Sequence, residues 1–277
     1  MALQVTILGC GFSGGVPRPA LGWGDCDPNN PKNRRRRTSL LVERRSPPIP
    51  PGSQGREGVT RVLVDTSPDL REQLIDAEVD WLDAVLYTHE HADHIHGIDD
   101  LRGPFLKRRR RVDVYLDERT SSVVRGRFGY CFESPPGSEY PPMVAEHRLT
   151  AGTPVTIAGE GGPITALPVL QEHGNITSLG FRFGQLGYSC DLSGLPEESV
   201  PAFTGLDVWI LDALRYRPHP SHFCVDDALR WIERLKPRRA ILTNMHTDLD
   251  YEVLRGKLPV HVVPAFDGMS FALAEGL

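Results

Sequence analysis

Six residues that follow an apolar segment constrain the fold and chemistry of this chain more than any other part of it. Residues 84–88 (Ala-Val-Leu-Tyr-Thr) read as a buried strand, and residues 89–94 are His-Glu-His-Ala-Asp-His. Imidazole and carboxylate groups are good ligands for zinc, manganese and iron. Histidines two residues apart leave the same side of an extended segment, and the following Asp-His pair reaches a neighbouring point. The alternative is a polar surface loop, but four ligand-type side chains at the end of an apolar strand favour a loop that begins two adjacent metal sites.

Length and composition indicate a globular chain with a substantial core. The 277 residues are 40% apolar and carry a formal net charge of −5, which offers no general attraction for nucleic acid or anionic membranes. We expect one domain over residues 1–277, with no membrane partner and no stable nucleic-acid partner. The sequence has no apolar run of about 18 residues and no signal-peptide pattern, and its five cysteines form no CxxC pair. These features predict a cytoplasmic location.

Hydrophobic patterning predicts many strands and a smaller number of helices. A helix is expected after Ser67-Pro68, with Ser67 as its N-cap, and the apolar face of residues 225–235 predicts another. The Pro-rich residues 46–53 are expected to form an irregular loop. Strands are predicted at 3–8, 39–44, 60–65, 84–88, 112–116, 154–157, 163–170, 178–183, 187–190, 207–212, 239–243 and 260–264. The chain is therefore predicted to be an α/β sandwich of two sheets flanked by helices.

Three further ligand-type residues come after predicted strands, at the positions where strand ends would aim them at a common site. They are His173, Asp191 and His246. Together with the His-x-His-x-Asp-His cluster, this ordered set resembles the metallo-β-lactamase superfamily over nearly the whole chain. The fold of that family is an αββα sandwich of two mixed β-sheets, and its members are mostly hydrolases.

The resemblance implies a dinuclear site for two divalent metal ions, zinc or manganese, with iron as a further choice. By that resemblance, the first metal would be held by His89, His91 and His173, the second by Asp93, His94 and His246, and Asp191 would bridge the two. Two neighbouring cations can generate hydroxide at neutral pH and clamp the oxygens of a displacement. The metal-bound hydroxide would be the nucleophile, and Asp93 counts among the catalytic residues as well as the ligands.

Residues 212–223 point to phosphodiesters among the substrates of this superfamily. His222 comes directly before the predicted helix 225–235, and it resembles the histidine that acts as general acid in the tRNase Z and PhnP-like phosphodiesterase branches. Hydrolysis of a phosphodiester needs such an acid because an alkoxide is a poor leaving group. Asp212 matches the preceding acidic position and would orient His222, while His219 would contact substrate. The alternative is that Asp212 and His222 only end a strand and cap a helix.

Two arginine-rich runs and a glycine loop remain. Arg34 and Arg37, in the run 34–37, resemble a segment of PhnP-like enzymes and could bind phosphate, although most of this run is expected to be solvated. The run 107–111 is assigned to a surface loop. The glycine loop 9–15 lacks the ending of a phosphate-binding P-loop, so it is expected to allow close backbone approach at the rim of the site. Cys26 alone cannot assemble the structural zinc site of PhnP, and no such site is expected.

The sequence therefore predicts a dinuclear phosphodiesterase, PhnP-like, that hydrolyses a small nucleotide-like or cyclic phosphodiester with His222 as general acid. A glyoxalase II-like thioesterase or lactonase shares the same ligand set, and a tRNase Z-like RNA endonuclease shares His222. A non-catalytic metal-dependent binding protein is a third class, which an open dinuclear site disfavours. The expected partner is a small phosphodiester or nucleotide, and two copies of the chain could form a homodimer.

Overall fold

The computed structural model describes residues 2–47 and 58–274. Most of the Pro-rich loop predicted at 46–53 lies outside the described residues. The strands are β1 (Ala2–Gly9), β2 (Ser39–Arg45), β3 (Val59–Val64), β4 (Ala84–Leu86), β5 (Val112–Leu116), β6 (Val144–Arg148), β7 (Val155–Ile157), β8 (Ile164–His173), β9 (Ile176–Phe183), β10 (Leu186–Ser189), β11 (Val208–Asp212), β12 (Arg239–Thr243), β13 (Val262–Pro264) and β14 (Met269–Ala274). The α-helices are α1 (Leu70–Asp76), α2 (Ala92–Ile95), α3 (Arg102–Arg108), α4 (Glu118–Phe128), α5 (Val225–Leu235) and α6 (Tyr251–Lys257), with 3-10 turns at Pro31–Asn33, Ile98–Leu101, Gly129–Cys131 and Val200–Phe203.

The strands form two seven-stranded mixed sheets. The first has the order β14-β1-β2-β3-β4-β5-β6, in which β3 to β6 are parallel and the other pairings are antiparallel. The second has the order β13-β12-β11-β10-β9-β8-β7, in which β10 to β13 are parallel. Because each sheet contains a parallel block, the carboxyl ends of several strands meet at one edge of each sheet.

The layers follow from the alternation of buried side chains along the strands. Val42 and Val64 face the second sheet and join a core cluster with Phe181 and Ile210, whereas Leu63 faces the opposite way. That opposite cluster packs the first sheet against α1, α3 and α4, and α5 and α6 cover the second sheet. The predicted αββα sandwich is thus confirmed. No helix in the described ranges is long and apolar enough to cross a membrane.

Several sequence-based boundaries differ from the structure. Helix α1 begins at Leu70 with Asp69 as its N-cap, so the assignment of Ser67 as N-cap is wrong. Ser67 Oγ instead accepts a hydrogen bond from Asp69 N (3.1 Å) and donates one to Gln73 Oε1 (2.9 Å). Strands β6 and β14 were not predicted, and Lys107 and Arg108 lie in α3 rather than in a loop, although the whole run 107–111 is exposed.

Candidate metal centre and active site

The ligand-type residues lie at the ends of strands on both sheets. His89 and His91 follow β4, His173 ends β8, and Asp191 follows β10. One ligand atom from each of these four side chains lies within 4.8 Å of the others. The structure therefore brings together four residues that are up to 102 positions apart in the sequence (89 to 191).

The distances in this first cluster suit a tetrahedral metal. His91 Nδ1 lies 3.3 Å from His173 Nε2, and Asp191 Oδ2 lies 3.6 Å from His173 Nε2 and 3.8 Å from His89 Nε2. Ligands bound to zinc at about 2.0–2.1 Å in tetrahedral geometry are roughly 3.4 Å apart. The observed separations are close to that value.

Hydrogen bonds on the far side of each ring orient the ligand nitrogens. His89 Nδ1 lies 3.0 Å from Thr88 Oγ1, and His173 Nδ1 lies 2.6 Å from the carbonyl oxygen of Ser221. These partners leave Nε2 of both rings facing the cluster. His89 Nε2 is buried without any hydrogen-bond partner, which is costly for a polar atom unless a ligand is bound there.

A second set of ligand atoms surrounds His94. Its Nε2 lies 3.3 Å from both Asp93 Oδ2 and Asp191 Oδ1, and it too is buried without a hydrogen-bond partner. Asp191 thus directs Oδ2 towards the first cluster and Oδ1 towards His94. This is the arrangement that a carboxylate bridging two cations requires.

His246, the third predicted ligand of the second metal, lies in the wall of the same cavity. Its Nδ1 lies 3.4 Å from Asp248 Oδ1 and 3.2 Å from Thr247 Oγ1, and its ring centroid lies 4.3 Å from that of Phe12. His246 is outside the cluster of atoms within 4.8 Å. The structure therefore places His246 and Asp93 in the wall of one cavity, and it leaves His246 outside the first cluster.

Asp65 is a site residue that the sequence analysis missed. It is fully buried, has a left-handed φ of 62° and follows β3 directly. Its Oδ2 lies 2.8 Å from His94 Nδ1 and from Thr88 Oγ1, while its Oδ1 accepts a hydrogen bond from Thr88 N (2.8 Å). Asp65 thereby fixes the ring of His94 with Nε2 towards Asp93 and Asp191. Its position at the end of the predicted strand 60–65 was the available signal.

The electrostatics of the cluster favour cations. Burial alone would lower the pKa of His94, but the charges of Asp191, Asp93 and Asp65 outweigh burial and hold this pKa well above its usual value. The buried carboxylates thus favour positive charge at this point of the site. Together with the two unpartnered Nε2 atoms, this shows that the residues present fit divalent metal ions.

His222 and Asp212 form a pair beside Asp191. His222 Nδ1 lies 2.8 Å from Asp212 Oδ2 and 3.8 Å from Asp191 Oδ2. Burial would lower the pKa of His222, but the charges of Asp212 and Asp191 raise it to about 9. Asn244, which the sequence analysis also missed, donates Nδ2 to Asp212 Oδ1 and to Asp191 Oδ1, both at 3.2 Å. The pair and the metal cluster are therefore held in one network.

A cavity of about 390 Å³ opens onto these groups. It is lined by Phe12, Ser13, Arg18, His91, Asp93, Asp191, Leu214, Arg215, His219, His222, Asn244 and His246. The predicted contact residue His219 is thus in the wall of the cavity. Phe12 and Ser13 confirm that the glycine loop forms its rim, and a Cβ at Gly9 would come within 2.0 Å of the carbonyl oxygen of Arg37.

The arginine run 34–37 is arranged differently from the prediction. Arg34 is exposed, and Arg37 Nε pairs with Asp69 Oδ2 at 3.0 Å, so neither residue lines the cavity. The geometry does not support their predicted role in binding substrate. The buried member is Arg35, only 2% exposed, whose guanidinium donates to the carbonyl oxygens of Leu249 (2.6 Å) and His246 (3.3 Å).

Arg35 is expected to stabilise the segment that carries His246. Changing Arg35 to Met keeps an apolar side chain of similar length but leaves two carbonyl oxygens without their donor, which should lower the free energy of unfolding by about 2–4 kcal/mol. Urea denaturation measures this change. Arg34→Met is the matched control, because Arg34 is exposed and should change stability by less than about 0.5 kcal/mol. Equal stabilities of the two variants would contradict this role.

The two-sheet fold and the His/Asp cluster define a metal-dependent hydrolase. Comparison with known proteins agrees: the family described as the Beta-lactamase superfamily domain matches residues 60–245. The chain is 33% identical to a diphosphatase from the PhnP family over 99% of this chain and 98% of that one, with a TM-score of 0.84. This chain belongs to the metallo-β-lactamase superfamily and to its PhnP-like branch.

Two other matches differ in what they show. The metallo-β-lactamase fold protein YhfI from Bacillus subtilis is 18% identical over 98% of this chain and 99% of that one, with a TM-score of 0.69, which supports the fold alone. A protein named octanoyltransferase from Porphyromonas gingivalis is 30% identical over 99% of this chain. The chain spans only 52% of the length of that protein.

Proposed function

We propose that this protein hydrolyses a phosphoester bond of a small nucleotide-like or cyclic phosphodiester, using two divalent metal ions. The observation that carries the proposal is the His222–Asp212 pair. A general acid beside the metal ligands can protonate a poor leaving group. The name of the PhnP-family relative, a diphosphatase at 33% identity, supports phosphoryl chemistry. Zinc or manganese suits the donor set, with iron as the further choice.

The residues would divide the work as follows. His89, His91 and His173 would hold one cation, Asp93 and His94 would hold the other with His246 at the cavity wall, and Asp191 would bridge them. When bound, such cations activate water and offset the charge of a phosphoryl group.

The proton reaches the leaving oxygen from the side of the cavity that His222 occupies. Asp212 accepts from Nδ1 of His222 and so leaves Nε2 of the ring free to donate to that oxygen. Asn244 donates hydrogen bonds to both Asp212 and Asp191. These bonds fix the His222–Asp212 pair in position relative to the metal ligands.

Thioester hydrolysis is the second candidate, because one relative is named octanoyltransferase. An acyl thioester has a good leaving group and does not need an acid of this kind. The relative is nearly twice as long as this chain, so its activity bears on this chain only as a candidate. The cysteines at positions 10, 26, 131, 190 and 224 are all buried, which gives no support to a cysteine nucleophile.

The discriminating experiment compares substrates on the metal-loaded protein. We expect kcat/KM for adenosine 2′,3′-cyclic phosphate to exceed kcat/KM for octanoyl-coenzyme A and for a simple lactone. The same protein treated with a chelator is the control for metal dependence. Faster turnover of the thioester or lactone would overturn the proposal, and selective cleavage of a precursor tRNA would favour the endonuclease instead.

A further inference from the structure

Two arginine side chains line the cavity without a carboxylate partner. Arg18 follows the glycine loop after β1, and Arg215 follows β11, so they reach the cavity from different parts of the fold. Within the described ranges, no carboxylate oxygen lies within 4 Å of either guanidinium, whereas Arg36 and Arg37 pair with Asp267 and Asp69. Positive charge at this cavity is therefore left over after the internal ion pairs are formed.

The two guanidiniums are held in different ways. Arg215 donates Nε to the carbonyl oxygen of Arg217 (3.1 Å) and Nη2 to that of Pro218 (2.8 Å), which fixes its plane and leaves Nη1 available. Arg18 lies over the ring of Phe12, 5.3 Å from its centroid, and its guanidinium makes no side-chain hydrogen bond among the described residues. One cation is thus preorganised by the backbone, and the other is free to close on a ligand.

The carboxylates near the cavity do not neutralise the positive charge of Arg18 and Arg215. Asp93 and Asp191 are directed at the metal cluster. Asp248 Oδ2 accepts a hydrogen bond from Tyr216 N (3.3 Å), and Asp248 Oδ1 lies 3.4 Å from His246 Nδ1. With cations bound at the cluster, the cavity wall carries a net positive charge.

We propose that Arg18 and Arg215 form a subsite for a second phosphoryl group, beside the one that is hydrolysed, so that the site selects diphosphate esters over monophosphate esters. Arginine suits this role, because its planar fork binds phosphate oxygens in pairs and stays charged. A cavity of about 390 Å³ is within the size range of small-ligand sites. The inference rests on the proposed function in one respect, that the metal cluster is where a phosphoryl group reacts.

The test measures binding of ADP and AMP to the metal-loaded protein by isothermal titration calorimetry, which does not depend on turnover. The wild type should bind ADP at least about tenfold more tightly than AMP, since each charge-assisted contact contributes about that factor. Arg18→Gln and Arg215→Gln should each lose most of this preference while leaving the affinity for AMP little changed. Arg34→Gln and Arg217→Gln are matched controls, because both side chains are exposed and outside the cavity.

The outcomes separate this inference from the proposed function. Equal affinity of the wild type for ADP and AMP, or an unchanged preference in both cavity variants, would overturn the subsite. A protein that prefers ADP in this way but hydrolyses only thioesters would retain the subsite and overturn the phosphodiesterase. Arg215→Lys keeps the charge and removes the planar fork, so it is expected to keep part of the preference for ADP. This second variant keeps the test decisive if Arg215→Gln fails to fold.

Discussion

Replacing Asp191 with Asn is expected to remove most bound metal and to lower turnover by about a thousandfold or more, because several kcal/mol of charge stabilisation come from the cations. Asp191 is 2% exposed and directs its two oxygens to different clusters, so its loss should affect both. Asn keeps the volume of the side chain but removes the negative charge and one anionic ligand. Replacement of a residue that contacts only one of the two clusters would remove one metal ion at most.

Metal content by mass spectrometry of the purified protein, together with kcat on a phosphodiester, measures this effect. Asp226→Asn is the matched control, since Asp226 is exposed on α5 and is not one of the ligand residues. The thermal midpoint gives a second readout: a chelator should lower it in the wild type and leave it nearly unchanged in the Asp191 variant. A variant that still holds two ions per chain would show that Asp191 does not bridge.

The cluster of ligand residues could be predicted from the sequence because several of its members lie close together along the chain. His89, His91, Asp93 and His94 lie within six residues, and the strand before them is continuously apolar, so their direction towards one site followed from the pattern. His173 and Asp191 were found because each follows a predicted strand. Most strands were placed within two residues for the same reason, since a buried parallel strand has a strong apolar signature.

Asp65 and Asn244 escaped prediction because their roles depend on pairing between strands. Asp65 reaches His94 only because β3 lies beside β4, and Asn244 reaches Asp212 only because β12 lies beside β11. Neither neighbour relation is written in the local sequence. Both residues also adopt positive φ values, 62° and 60°, a backbone state that a sequence pattern does not reveal for Asp or Asn.

The arginine run shows the same limit in another form. Four consecutive arginines offer no hydrophobic contrast, so the sequence could not say which one points inward. In the structure, residues 35 and 16 pair across an isolated bridge, and that register turns Arg35 into the interior and leaves Arg34 exposed. Long-range pairing therefore decided which arginine is buried, and Arg34 and Arg37, the predicted phosphate contacts, do not line the cavity.

Replacing His222 with Ala should lower kcat by about a hundredfold to ten-thousandfold on a substrate with an alkoxide leaving group. Metal content should stay at the wild-type level, because His222 is a neighbour of Asp191 rather than a member of the ligand cluster. A p-nitrophenyl ester should be affected much less, since its leaving group needs little protonation. His261→Ala is the matched control, as His261 is exposed. Equal losses on both substrates would indicate a structural role for His222.

The pH profile gives an independent test of the same assignment. Asp212 and Asp191 raise the pKa of His222 to about 9, so the protonated acid is present below that value and is lost as the pH rises through it. The activity on an alkoxide substrate should therefore fall on the alkaline side, and cations bound at Asp191 should move this limb below 9 by offsetting its charge. Asp212→Asn removes the charge that contributes most to the raised pKa, and it should shift the limb further towards neutral pH. A limb that stays in place in this variant, with kcat measured from pH 6 to 10, would show that the acid is not the His222 ring that Asp212 contacts.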